Sequence, residues 1–325
     1  MAEDRLTAAR FMMNEKTLIS FVIPCYRSEE TIEKVILEIV DTVSQKNDYD
    51  YEIICVNDCS PDNTINVLKS LAKKNNRIRV IDLAINAGKA CALMAGYAIV
   101  KGQYIATLDD DLQCPTNELW KLIDPLEKDE CDIATASYYQ KKQAAWKNLG
   151  SKMNVLMGRI LLDKPKGLRI ENFLAFKKFV IDEVIRYPYP YTYPEGLYLR
   201  ATKRVKMIPM EERERGDNKG SGFTFVKSFS LWMNGFTAFS VKPLRLATII
   251  GAFTASAGFI WGLISIVNKI KHPEVVLGYT SLLVAILLIG GVMLICLGLI
   301  GEYVGRTYIC ISKAPQYVIK EKINV

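Results

Sequence analysis

The run Asp109-Asp110-Asp111-Leu112-Gln113 closes a β-rich stretch, Tyr104–Leu108. In an extended segment residues i and i+2 share a side, so Asp109 and Asp111 can converge on one hard cation. Mg²⁺ or Mn²⁺ prefers such oxygens and keeps a substrate's phosphates in its shell. The same triplet also reads as a solvated turn or a cap for the next helix. A second cluster, Asn57-Asp58-Cys59-Ser60-Pro61-Asp62, follows the apolar run Glu52–Val56. Asp62 suits a cap near a helix start, which leaves Asp58 unexplained. A carboxylate there can accept a hydrogen bond from a nucleobase or ribose. The sequence has no G-x-G-x-x-G, and Gly88-Lys89-Ala90 lacks the earlier Gly and the Ser/Thr of a P-loop. A bound nucleotide is therefore expected to be held as a metal diphosphate.

The elements that must position these residues alternate between two periods. Strand-like runs fall at 18–24, 52–57, 78–83, 104–109 and 132–137, and helical patterns at 29–43, 64–74, 89–100 and 117–126. Strand–helix alternation with apolar strands predicts a mostly parallel sheet with helices on both faces. Ligands of such sheets sit outside the carboxyl ends of the strands, which singles out 24–26, 57–60 and 109–113. Further on, a basic helix-like stretch (141–159) precedes a short run at 173–176 and a helix near 180–186. YPYPYTYPEG (187–196) reads as a loop because Pro188, Pro190 and Pro194 interrupt any helix. Its tyrosines either pack the loop down or form an aromatic wall beside a substrate. Residues 204–222, polar and Gly-rich, read as a mobile surface loop.

Composition bounds the class. The chain has 325 residues, half of them hydrophobic, with net charge +7 and mean hydropathy +0.10. A disordered or collagen-like chain is excluded. From Lys242 onward eight basic residues face three acidic ones, and a basic, apolar end points to an anionic bilayer rather than to nucleic acid. Eight cysteines without a C-x-x-C, and one histidine (His272) in the apolar end, argue against zinc, a disulfide scaffold or a Cys/His pair. The charged start MAEDRLTAARFMMNEK has no apolar h-region, so no signal peptide is expected and the N-terminal part is expected in the cytosol.

Residues 246–267 and 275–301 carry no charge over 22 and 27 residues. A helix of about 20 residues crosses a hydrocarbon core of roughly 30 Å. The connector 268–274 is short, so the two spans form a hairpin with both ends on one side. Lys227, Lys242, Arg245, Arg306, Lys313 and Lys320 flank it, against Lys269 and Lys271 in the turn, which predicts cytosolic ends. Before it, Phe225, Phe229, Trp232, Phe236 and Phe239 recur at spacings of three and four and read as an interfacial helix. Gly251, Gly258, Gly262, Gly290, Gly291 and Gly298 would permit close helix packing in a homo-oligomer.

With these pieces assembled, the chain resembles an inverting family-2 glycosyltransferase of GT-A fold, of the polyprenyl-phosphate type that includes dolichol-phosphate mannose synthases and bacterial bactoprenol glucosyltransferases. FVIPCYRSEE (21–30), EIICVNDCSPDNT (52–64), the stretch 86–115, RERGDNK (213–219), FSVKPLR (239–245), the two spans and GEYVGRTY (301–308) carry the resemblance. It implies an N-terminal extension (1–16), a cytosolic GT-A catalytic domain (17–222), a juxtamembrane interfacial helix (223–243), a transmembrane hairpin (244–301, with spans near 246–267 and 275–300) and a cytosolic tail (302–325), in a multi-pass protein of the inner membrane. The implied donor is a nucleotide-diphosphate sugar, a UDP-sugar favoured, and the implied acceptor is polyprenyl phosphate at the bilayer. The product would be a lipid-linked sugar for cell-envelope glycan.

The resemblance also implies roles. Pro24, Tyr26, Glu29, Asn57, Asp58 and Lys89 fall to the nucleotide sugar, together with Asp109, Asp110, Asp111 and Gln113. Asp109, Asp111 and Gln113 fall to Mg²⁺ or Mn²⁺. Asp109, Asp111, Arg213 and Lys219 are the implied catalytic set, the last two meeting the phosphates of donor and acceptor. Several positions depart from the pattern. Asn57 replaces the usual first Asp and Asn218 a usual Ser; Glu29 comes one place late because Ser28 intervenes. Tyr138 and Leu174 stand where Arg often meets the acceptor phosphate, with Lys141 or Lys142 as substitutes. Transfer to another lipid or glycan, or a non-catalytic membrane scaffold, are the alternatives.

Overall fold

The computed structural model describes residues 16–138, 167–190, 192–211, 213, 242–271, 279–312 and 314–325. They fall into two compact units: one holds a sheet and takes in Pro315–Val325, the other holds two long helices.

The sheet has eight strands: β1 (Thr17–Cys25), β2 (Tyr49–Asn57), β3 (Ile78–Leu83), β4 (Tyr104–Thr107), β5 (Ile133–Tyr138), β6 (Leu174–Lys177), β7 (Val205–Met210) and β8 (Ile319–Ile323). Their spatial order is β7-β5-β6-β4-β1-β2-β3-β8. β1 runs parallel to β2 and β4, β2 to β3, and β5 to β7. β6 is antiparallel to β4 and β5, and β8 to β3. The expected class, a mostly parallel sheet covered on both faces, is the one observed.

The covering follows from the pattern of each segment. In α1 (Ile32–Ser44) residues 32, 35, 36, 39 and 43 are apolar and buried, the i, i+3, i+4, i+7 stripe of a helix lying on a core. It joins α2 (Thr64–Lys74) and residues of α4 (Leu119–Glu127) over the face that presents Phe21, Ile23, Ile53 and Cys55. Alternate residues Val22 and Val56 point the other way and meet α3 (Lys89–Tyr97). There Gly96 lets the helix approach: a Cβ would stand 2.4 Å from Val22 Cγ1. Two short helices, α5 (Lys178–Val184) and α6 (Pro194–Ala201), belong to the same unit. Away from the site, buried Glu52 takes Arg79 Nη1 at 2.6 Å, Ser20 Oγ at 2.6 Å and the Lys101 N–H at 2.6 Å. Breaking such a buried pair on one side costs roughly 3–5 kcal/mol.

Three segments differ from their sequence reading. The Tyr-Pro stretch is a loop only to Tyr193; Pro194 opens α6, because the first helical position needs no N–H and welcomes its fixed φ. Within 204–222, read as a mobile loop, residues 205–210 form β7 beside β5. The end of the chain, read as a tail, returns as β8, a short charged edge strand on β3 of the kind that blunts a sheet edge.

The second unit holds α7 (Lys242–Lys271) and α8 (Tyr279–Ile311). Both are long and apolar enough to cross a membrane. α8 continues past the expected end at 301, helped by an i,i+4 pair in which Arg306 Nη2 lies 2.8 Å from Glu302 Oε1. Among the described residues, nothing beyond the helix's own neighbouring backbone comes within 4 Å of a Cβ added at any of the six glycines named for close packing. The aromatic stripe 225–239, the basic stretch 141–159 and Lys219 lie outside the described residues.

Candidate active site

The expected site residues converge from the carboxyl ends of β1, β2 and β4 and from the turn before α3. β4 stops at Thr107, so the acidic triplet is a bend rather than extended strand, with Leu112 at φ +65°. Its three carboxylates take different partners. Asp109 Oδ1 lies 2.5 Å from Lys89 Nζ at the start of α3. Asp110 turns toward β1, where Oδ2 accepts the Tyr26 N–H at 3.2 Å and the Ser28 hydroxyl. Asp111 Oδ1 accepts the Gln113 N–H at 3.2 Å. Burial pushes the Asp110 carboxyl up to about 6; the Asp109 charge adds to this, and the bonds from Ser28 and Tyr26 oppose it. Asp110 is thus a brace between two loops.

Asp58 is buried, and both its oxygens hold the turn before α3. Oδ1 accepts the Ala87 N–H at 2.7 Å, Oδ2 the Gly88 N–H at 2.9 Å, and the Asn86 amide donates to its carbonyl at 3.1 Å. Burial raises its pKa and the two N–H groups work against that. Asn57 donates from Nδ2 to Asp82 Oδ1 at 2.7 Å, while its buried Oδ1 has no hydrogen-bond partner among the described residues. Pro24 sits within β1 opposite Val56, and Tyr26 is exposed beside the Arg27 guanidinium.

Two expected residues point elsewhere. Glu29 Oε2 accepts the Asn63 N–H at 2.9 Å, and its own N–H donates to Asp62 Oδ2 at 3.4 Å; it braces the loop after β2. The Arg213 main chain joins the acidic bend, its N–H donating to Gln113 O at 3.2 Å. Its guanidinium instead holds Glu38 Oε2 at 2.8 Å and Asn117 Oδ1 at 2.6 Å. Asp62, read as a helix cap, accepts the Thr64 N–H at 3.2 Å and the Ser60 and Thr64 hydroxyls. Sequence reasoning passed over Ser28, Ser60 and Glu38. Ser28 was the one with a visible signal, as the residue that displaces Glu29.

Among the described residues no three His, Cys, Asp or Glu side chains cluster as a metal cage. Mg²⁺, however, is commonly held by one or two carboxylates plus substrate phosphates. The half-buried Asp109 and Asp111, with the Gln113 amide in the same bend, fit that donor set.

The model of glycosyl transferase family 2 matches residues 20–185, just over half of the chain. The chain belongs to glycosyl transferase family 2. A second model, the GtrB C-terminal hairpin, matches residues 242–307. A putative glycosyltransferase of Bacillus subtilis is 31% identical over 306 residues, covering 94% of this chain and 92% of its own. A prophage bactoprenol glucosyl transferase homolog of Escherichia coli is 31% identical, covering 93% and 98%. A solved glucosyl-3-phosphoglycerate synthase of Mycobacterium tuberculosis, in complex with Mn²⁺, UDP-glucose and phosphoglyceric acid, superposes with TM-score 0.51 at 18% identity, covering 67% and 78%. The family-2 resemblance read from the motifs is borne out, and the chain is a glycosyltransferase.

Proposed function

We propose that this family-2 enzyme transfers a hexose from a nucleotide-diphosphate sugar to polyprenyl phosphate, undecaprenyl phosphate foremost, at the cytosolic face of the inner membrane. The observation that carries the reading is one continuous match. Relatives named as bactoprenol glucosyl transferases align over 93% of the chain, through both the sheet unit and the hairpin. The mycobacterial neighbour with UDP-glucose and Mn²⁺ is the ground, at the level of fold, for favouring a UDP-sugar and a divalent cation.

In this reading the nucleophile is a phosphate oxygen, ionised near neutral pH, so the chain needs no strong general base. Its single histidine at 272 is no obstacle. In-line attack forms the bond from that oxygen to the anomeric carbon and breaks the bond from the anomeric carbon to the diphosphate. An α-linked donor then gives a β-linked product. Asp109, Asp111 and Gln113 would hold Mg²⁺ or Mn²⁺, which when bound supplies charge neutralisation to the leaving diphosphate. Lys89 adds a cation beside Asp109. Asp58 and Asp110 keep the donor loops in place. Arg213 and Lys219 offset repulsion between the anionic acceptor and donor, Arg213 after leaving Glu38.

The test is lipid-linked sugar formation by purified protein in detergent, given undecaprenyl phosphate, a divalent cation and a panel of nucleotide sugars. Product from one donor, lost with EDTA and in Asp111→Asn, is the expected result. Metal-dependent donor hydrolysis without lipid product would move the acceptor elsewhere. Neither product nor nucleotide binding would overturn the reading.

A further inference from the structure

The segment after α8 grips the sheet unit at several points. Val318 O accepts the Ala84 N–H at 2.8 Å, and Asn324 Nδ2 donates to Ala72 O at 2.8 Å and Ile78 O at 2.9 Å. These contacts secure the two ends of β8. A further grip serves no strand. Gln316 Nε2 donates to two main-chain carbonyls at once, Tyr187 O and Tyr189 O, each at 2.7 Å.

The loop so held is uncharged from 187 to 193, and the Tyr187 and Tyr189 rings meet edge to face at 5.2 Å, with Tyr189 exposed. Thr192 and the Tyr317 phenol both lie near the Cys91 thiol in α3. Asp58, which holds the turn that carries Lys89, lies near the same thiol. The loop therefore borders the candidate site, and Gln316 is the strut that ties it to the chain end.

The loops assigned to the donor brace one another without it. Asp110 holds Tyr26 and Ser28, Ser60 holds Arg27, and Asp58 holds Ala87 and Gly88. None of these bonds passes through the Tyr-Pro loop. An uncharged pair of rings is also a poor partner for a diphosphate and a good one for an apolar C–H surface.

We propose that Gln316 is a positioning residue for the acceptor. It holds Tyr187 and Tyr189 where they meet the isoprenoid carbons next to the lipid phosphate. This rests on the reading of the preceding subsection. Gln316 must donate to carbonyls, so chemistry separates its variants. Alanine removes the donors, glutamate places an acceptor against two acceptors, and arginine restores two N–H groups.

The experiment uses the full chain in detergent and compares Gln316→Ala, Gln316→Glu and Gln316→Arg with wild type. Losing two neutral hydrogen bonds predicts an acceptor KM raised about tenfold in the first two, with donor KM unchanged and partial recovery in the third. Hydrogen exchange over 187–193 should quicken in Gln316→Ala. Unchanged acceptor KM, or a rise in donor KM alone, would overturn the acceptor role. Equal exchange in wild type and Gln316→Ala would overturn the strut itself. Wild-type protein that transfers nothing to lipid would overturn the underlying reading, and the exchange comparison tells that failure apart from failure of the strut.

Discussion

Asp58 and Gly88 are joined by a hydrogen bond of 2.9 Å from the glycine N–H to carboxylate Oδ2, thirty residues apart in sequence. The other oxygen takes the neighbouring Ala87 N–H at 2.7 Å. Gly88 has φ +84° and ψ 157°, a conformation essentially restricted to glycine. The turn that delivers Lys89 to Asp109 thus depends on one carboxylate and one glycine.

Asp58→Asn leaves one of the two N–H groups facing an amide NH₂, at a cost of about 1–3 kcal/mol. Gly88→Ala costs a similar ~1–3 kcal/mol through backbone strain, since among the described residues nothing lies within 4 Å of an added Cβ to clash with it. Both should lower the unfolding midpoint and weaken nucleotide binding by calorimetry. The double variant should lose less than the sum, because both act on one turn. Full additivity would show the two to be independent.

Lys89 and a divalent cation would compete for Asp109. The pair is partly exposed, worth about 0.2–1 kcal/mol. Lys89→Met should therefore tighten Mn²⁺ binding by up to about fivefold in nucleotide-free protein. Titration of Mn²⁺ by calorimetry checks it, and weaker binding would count against Asp109 as a ligand.

In the proposed reaction Arg213 would reach a phosphate only by leaving Glu38, whose Oε2 also accepts the Thr116 hydroxyl at 2.7 Å. This half-exposed pair is likewise worth about 0.2–1 kcal/mol. Glu38→Gln should raise kcat/KM by up to about fivefold, Arg213→Ala should lower it, and the double variant should match Arg213→Ala. A fall in Glu38→Gln would make the pair structural.

The first five strands and first four helices are legible because burial there is periodic or unbroken: α1 repeats its apolar stripe, and β1 is buried without a gap from Ile19 to Cys25. β7 and β8 are not, since VKMIPM carries a proline and IKEKI is mostly charged. Their pairing is long-range, Ile81 with Lys322 for example, and no local pattern encodes it. The same holds within the site. The residue types at 58, 89, 109 and 111 point to chemistry, but their partners do not follow from spacing. Asp109 and Asp111 lie past the end of β4 at Thr107, so strand alternation does not set where they point. Arg213 carries the right charge, yet Glu38, far earlier in the chain, decides where it points.

Asp62 supplies a pH dependence with a definite sign. Burial alone would raise its carboxyl, but hydrogen bonds from Ser60, Thr64 and the Glu29 N–H hold it below the ordinary carboxylate range. The folded state therefore releases this proton more readily than the unfolded chain does. The resulting stabilisation is complete above the unfolded value of about 3.9 and is lost as pH falls through the folded value. Asp62→Asn keeps one acceptor oxygen and does not titrate. Wild type should therefore exceed Asp62→Asn in denaturant midpoint at pH 7, with the gap closing below about pH 4. Comparing the two proteins cancels the titration of the other carboxylates. A gap that stays constant down to pH 3 would mean that the loop after β2 is held by shape rather than by the Asp62 charge.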